Sequence, residues 1–67
     1  MTIFLNNHPI DLPNNHMTIE DLLLWKEIKT QGTAVAINDK LLRKDAWNVT
    51  KIEDMMRVSI ITAAFGG

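Results

Sequence analysis

No cysteine occurs among the 67 residues. That excludes a disulfide, a thiol nucleophile and a thiolate metal site, and it points to a reducing compartment. Long apolar runs are missing as well. The longest span a few residues, against the ~20 needed to cross a bilayer. No basic segment precedes Met1-Thr2-Ile3-Phe4-Leu5, so nothing there has the form of a signal peptide. The expectation is a cytoplasmic, soluble chain with no membrane partner. Charge of one sign is also lacking, since seven basic residues against eight acidic ones give a net charge of −1. Without a basic stripe, nucleic-acid binding has no electrostatic footing. Lys40, Arg43 and Lys44 form a small basic cluster, better explained as a solvated loop than as a phosphate site. Repeats, linkers and low-complexity segments are absent.

What is present suffices for one small domain. Hydrophobic residues make up 46% of the chain, too many for a disordered composition. A chain this short buries only ~60% of its unfolded surface, which is marginal but enough to fold alone.

Thr2 to Leu5 reads as a strand, rich in β-branched and aromatic residues. Asn6-Asn7 tolerates the positive φ of a tight hairpin turn. His8 to Leu12 is the return strand, and Pro9 assigns it to the sheet edge because proline cannot donate to a ladder. Pro13-Asn14-Asn15 closes the hairpin region. Thr18-Ile19-Glu20-Asp21 has the form of a capping box, with Met17 placed to pack on Leu22. Glu20 and Asp21 also suit the positive end of the helix dipole. The helix is expected to run to about Lys29 or Thr30, with Gly32 as its stop. Ile19, Leu22, Leu23 and Ile28 make its buried stripe. Leu24 and Trp25 cannot both share that stripe, so one of them is expected outside. Thr33 to Ile37 is a strand, Asn38-Asp39-Lys40 a turn, and Leu41-Leu42 a short strand. Lys44-Asp45-Ala46-Trp47 reads as one helical turn with its tryptophan on the core. Asn48 to Asp54 is a loop pinned by Val49 and Ile52, and Arg57 to Ala63 is the last strand.

A hairpin, one helix and further strands imply one sheet with one helical face. The fold class is therefore α+β: a ubiquitin-like β-grasp, with a mixed four- to five-stranded sheet packed on one main helix and the last strand beside the first. The domain is expected over 1–63, with 64–67 a flexible C-terminal Gly-Gly tail. Ala64-Phe65-Gly66-Gly67 does little for folding, because glycine is the costliest residue to order and chain ends fray. The tail is therefore expected to be the active end, and the rest a handle presenting its carboxylate.

Three features together resemble the ThiS family of sulfur carriers in thiamine biosynthesis. They are Gly66-Gly67 directly after an apolar strand, Ala34-Val35-Ala36-Ile37-Asn38 as a strand and turn, and Arg43-Lys44-Asp45-Ala46-Trp47, similar to the family's arginine-to-tryptophan segment. The resemblance covers the whole chain. It departs at Met55-Met56, where the family usually has Gly-Asp before the last strand.

The resemblance implies that Gly67 is the site of adenylation and thiocarboxylate formation. A ThiF-type adenylating enzyme would use ATP and Mg²⁺ to form the acyl-adenylate. A sulfur donor would convert this to the thiocarboxylate, and a ThiG-type thiazole synthase would consume it. The chain itself would be no enzyme and would bind no cofactor or metal. The chemistry agrees: a carboxylate is a poor electrophile until it carries a leaving group, and an acyl-adenylate must be shielded from water. Two residues without Cβ let the backbone thread into a narrow site. By strand alternation, Phe4 and Ile61 lie on the sheet face away from the helix, as a candidate partner-binding surface. The alternatives are a MoaD-like carrier for molybdopterin, a ubiquitin-type covalent modifier, or a non-catalytic β-grasp interaction module. MoaD-like chains tend to be longer, with prolines before their Gly-Gly, whereas Thr62-Ala63-Ala64-Phe65 has none. His8 and His16, and the acidic pairs Glu20-Asp21 and Glu53-Asp54, read as turn, cap and loop residues rather than metal ligands or acid–base pairs. Trp25 and Trp47 read as packing residues, and Met55-Met56 as fillers of the core edge.

Overall fold

Strands β1 (Thr2–Leu5) and β2 (His8–Asp11) form the expected hairpin, with Leu5 paired to His8. The two-residue turn between them has positive φ at both Asn6 (49°) and Asn7 (70°). This is the turn whose twist matches that of paired strands, and asparagine tolerates its left-handed backbone. The structure is a computed structural model in which residues 1–62 are described. Helix α1 (Ile19–Trp25) follows, then β3 (Thr33–Ile37), β4 (Lys40–Leu42), a 3₁₀ turn at Lys44–Ala46, and β5 (Arg57–Thr62). Asn38 and Asp39 join β3 to β4 through a second turn with positive φ at both positions, 48° and 71°.

The strands make one five-stranded mixed sheet in the order β2-β1-β5-β3-β4. Strand β5 runs parallel to β1 and antiparallel to β3, so the last strand sits at the centre beside the first. Strand β2, carrying Pro9, is at the edge. Helix α1 covers one face, which makes the domain a ubiquitin-like β-grasp. The core on that face is built from Ile3, Val35 and Val58 of the three central strands and Ile19, Leu22 and Leu23 of α1, all fully buried. Each such side chain contributes about 1.5–3 kcal/mol on leaving water. Trp47 closes the core from the 3₁₀ turn, and its Nε1 donates to the Leu42 carbonyl at 3.3 Å.

The helix begins as its cap residues dictate. Thr18 Oγ1 accepts from the Asp21 N–H at 3.2 Å, and Asp21 Oδ2 accepts from the Thr18 N–H at 3.0 Å. The loop after the 3₁₀ turn satisfies two more donors of the first turn. Ile19 N–H donates to the Thr50 carbonyl and Glu20 N–H to that of Trp47. Ile52 is buried as the pin of this loop, while Val49 is exposed and pins nothing.

The helix ends four residues earlier than the expected Lys29. Glu27 takes φ +57°, and Ile28 N–H reaches back to the Leu23 carbonyl at 2.8 Å while Glu27 N–H reaches that of Leu24 at 3.1 Å. This is a Schellman ending with glutamate in the position glycine usually fills. Ile28, packed against the core from just beyond the helix, supplies the hydrophobic contact of that motif. Gly32, with φ +76°, belongs to the approach to β3 instead. A seven-residue helix presents only Ile19, Leu22 and Leu23 inward, so Leu24 and Trp25 are both exposed rather than one of them.

Met55 has φ +66°, and Met56 N–H donates to the Glu53 carbonyl across this turn. The sequence thus makes a left-handed turn without glycine. Thr2 holds it through a bond from its N–H to Asp54 Oδ1 (2.9 Å) and a carbonyl that accepts from Met55 N–H. A left-handed residue with a Cβ costs about 1–2 kcal/mol, part of which glycine returns as unfolded-state entropy. Met55 is exposed, so its side chain is dispensable; Met56 is the one that packs at the core edge. Met55→Gly is expected to raise stability by about 0.5–1 kcal/mol, read as a higher urea midpoint at unchanged slope. A lower midpoint would show that the turn is not strained.

Candidate functional site

The open face of the sheet is set by alternation. Val35, Val58 and Ile3 point under α1, so Ala34, Ala36, Ser59, Ile61 and Phe4 take the opposite face. Pairing brings Ala34 opposite Ile61, Ala36 opposite Ser59, and Leu41 of β4 opposite Ala36. Ile61 and Leu41 are 62% and 75% exposed, and the half-buried alanines between them keep the surface shallow.

Phe4 is half-buried on the same face, but it does not meet Ile61. Its partners are Pro9 on β2 and Arg57 on β5. Ile61 lies four residues beyond Arg57, or ~13 Å along the strand at ~3.3 Å per residue. The expected pair therefore marks two ends of one face. The denser apolar cluster is Ile61 with Ala34, Ala36 and Leu41. The signal for it was the Ala-Val-Ala alternation of β3, which sends valine inward and both alanines outward.

Ala64, Phe65, Gly66 and Gly67 lie outside the described residues, as does the boundary at 63. The strand that leads to them ends at Thr62, paired with Thr33 at the far end of β3 from the Asn38 turn. Among the described residues, no group of three histidine, aspartate or glutamate side chains converges as a metal site. Nor, among those residues, is any helix long and apolar enough to cross a membrane. Both arginines that form ion pairs, Arg43 with Asp45 and Arg57 with Asp39, hold exposed partners at 3.2 Å and organise no pocket.

A model of the ThiS family matches residues 3–67, almost the entire sequence and all of the Gly-Gly segment. The chain belongs to the ThiS family. Two solved structures share the fold of this ThiS-family chain. The crystal structure of a thiamine biosynthesis protein, ThiS, from Geobacter metallireducens superposes with a TM-score of 0.87 at 20% identity, each chain covered completely. A solution structure of a thiamine biosynthesis protein from the same organism gives 0.84 at 20% identity, covering 100% of this chain and 88% of the other. No curated protein sequence matches it.

The open face yields a direct test in this ThiS-family chain. Phe4→Asp puts a charge on a half-exposed strand position that faces away from the core. It is expected to weaken binding of a thiamine-biosynthesis partner enzyme by about tenfold or more, as loss of an aromatic contact does. Circular dichroism and the unfolding midpoint would stay close to wild type. Unchanged affinity by calorimetry would remove Phe4 from the docking surface.

Proposed function

We propose that this chain is a sulfur carrier for thiazole formation in thiamine biosynthesis, a substrate of its partners rather than an enzyme. The observation that carries the reading is the family match running through Gly66-Gly67. In the proposed cycle the Gly67 carboxylate attacks the α-phosphorus of ATP on a ThiF-type enzyme. Pyrophosphate leaves and an acyl-adenylate remains. A donor at the sulfide oxidation level then attacks the acyl carbon, AMP departs, and a thiocarboxylate is left at Gly67. A ThiG-type synthase takes the sulfur. ATP and Mg²⁺ belong to the adenylating partner, which offsets the phosphate charge. The cysteine-free composition agrees with a cytoplasmic setting and with a chain that supplies no thiol nucleophile of its own.

The domain supports this chemistry by presentation. Its central strand is the one that precedes the Gly-Gly segment in sequence, and its open face offers a shallow apolar surface on that strand and its neighbours. Intact mass spectrometry after incubation with a cognate adenylating enzyme, ATP and a sulfur donor tests the reading. A gain of about 16 Da, oxygen replaced by sulfur, is expected at the terminus. No ATP-dependent change, with an enzyme proven active on another carrier, would reject it. Transfer of the sulfur to a molybdopterin precursor, but not to thiazole synthase, would move the chain to the MoaD-like function.

A further inference from the structure

The two hairpin turns do more than reverse the chain. Each opens with an asparagine at positive φ, and each asparagine reaches across to β5. Asn38 N–H donates to the Arg57 carbonyl at 2.9 Å, and Asn38 Oδ1 accepts from Arg57 N–H at 3.2 Å. Asn6 N–H donates to the Val58 carbonyl at 2.9 Å. Its side chain then goes further: Oδ1 accepts from Ile60 N–H at 2.8 Å, and Nδ2 donates to the Ile60 carbonyl at 3.3 Å. A side-chain amide here takes the place of the next peptide group of β1, which has already turned away. The clasps grip β5 from opposite sides, Asn38 at Arg57 where it starts and Asn6 at Val58 and Ile60 further along.

Ile60 is thereby held on both sides. Beyond it the described strand keeps only its β3 side, where Ile61 pairs with Ala34 and Thr62 with Thr33. Among the described residues, nothing on the β1 side pairs with β5 after Asn6 has done so. On the β1 side, Asn6 is the last described support of the strand, and it acts at Ile60, seven residues before Gly67.

We infer that Asn6 is a positioning residue for delivery of the Gly67 carboxylate: its side-chain amide pins Ile60 and so fixes the point and direction from which the chain is handed on to residues 63–67. The inference rests on the carrier reading above. A partner that docks on the open face holds the domain in one orientation, and the reacting carboxylate must arrive at a set place. An error of ~1 Å in that arrival costs as much as ~10²-fold in rate. The docking surface does not include Asn6, so losing the pin lowers turnover and leaves partner affinity alone.

Glycine separates the turn from the pin, because it accepts the positive φ of a two-residue hairpin while deleting the amide. The experiment compares Asn6→Gly, Asn38→Gly and the wild-type chain by amide exchange and by steady-state adenylation. In Asn6→Gly the Ile60 amide is expected to exchange about tenfold faster relative to Val35. Its kcat for adenylation is expected to fall about fivefold or more, with KM for the carrier within about twofold of wild type. Asn38→Gly loosens Arg57 but leaves Ile60 exchange and kcat at wild-type values. Should Asn6→Gly fail to fold, Asn6→Asp serves instead. It keeps the acceptor for Ile60 N–H, loses the donor, and falls between glycine and wild type in both readouts. Wild-type Ile60 exchange in Asn6→Gly, wild-type kcat, or an equal loss of kcat in Asn38→Gly overturns the inference. Failure of the wild-type chain to be adenylated at all is failure of the carrier reading instead, and the exchange comparison still decides whether the pin exists.

Discussion

Deleting Gly67, or replacing Gly66 by valine, is expected to cut acyl-adenylate formation by about a hundredfold or more while the unfolding midpoint stays unchanged. The rate effect follows from what the reaction needs. Deletion withdraws the carboxylate by one residue, several times the ~1 Å error that already costs ~10²-fold in a positioned reaction. Valine at 66 adds a branched Cβ where the chain threads toward ATP, and it narrows the backbone conformations available there. The stability effect follows from where the core lies. Among the described residues, the buried core runs from Ile3 to Val58. Adenylate formation is read by ATP–pyrophosphate exchange with the partner enzyme, and stability by thermal unfolding. Full exchange activity without Gly67 would show that activation does not require the carboxylate to stand at position 67. A large fall in midpoint would show that the segment packs on the domain.

Trp47→Ala is expected to be the opposite kind of variant, costing about 3–5 kcal/mol of stability, as large-to-small changes of buried aromatics do. A domain of this size has only about 3–10 kcal/mol in all. Much of the population would therefore be unfolded at 25 °C, and carrier activity would fall with it. Trp47 is 3% exposed, bonds through Nε1 to Leu42, and offers its carbonyl to Glu20 N–H at the start of α1. Its loss leaves a cavity and removes the Nε1 donor that ties the 3₁₀ turn to the Leu42 carbonyl. Trp47→Phe keeps most of the volume and drops only the hydrogen bond, so a cost of about 1–2 kcal/mol is expected. Urea titration of both variants checks the pair. Equal, small losses would mean that Trp47 is a lid on the core and not part of it.

The sequence announces those features whose chemistry is local. Asn6-Asn7 and Asn38-Asp39 mark hairpin turns because few other residues accept two successive positive φ values. Thr18 and Asp21 mark a helix start because cap and N3 residue satisfy each other within four positions. The helix end was hidden for the complementary reason. Glu27 is an ordinary helix former, and its left-handed conformation comes from Ile28 finding the core and Leu23 supplying a carbonyl, neither of which shows in composition. Gly32 drew the expected boundary too far along. Val49 and Ile52 look equivalent as apolar residues in a loop, yet only Ile52 is carried inward, by its N–H bond to Met17.

The candidate site shows the same division. That Phe4 and Ile61 share a face follows from alternation. Their separation depends on the stagger of β1 against β5, which no residue in either strand declares. Asn6 was legible as a turn residue. Its bond to Ile60 spans 54 positions and becomes visible only once the sheet is closed.

That closure has a consequence for synthesis. The strand next to the Gly-Gly segment is also the strand that joins the two halves of the sheet, β2-β1 and β3-β4. A ribosome makes it after everything it must bridge. A chain stopped short of β5 leaves β1 and β3 with bare inner edges and Ile3 and Val35 without Val58 between them. Such a fragment has no centre to fold around. The open face of the sheet is therefore complete only once β5 has been made, and on the carrier reading a chain stopped short of β5 is no folded decoy for a partner.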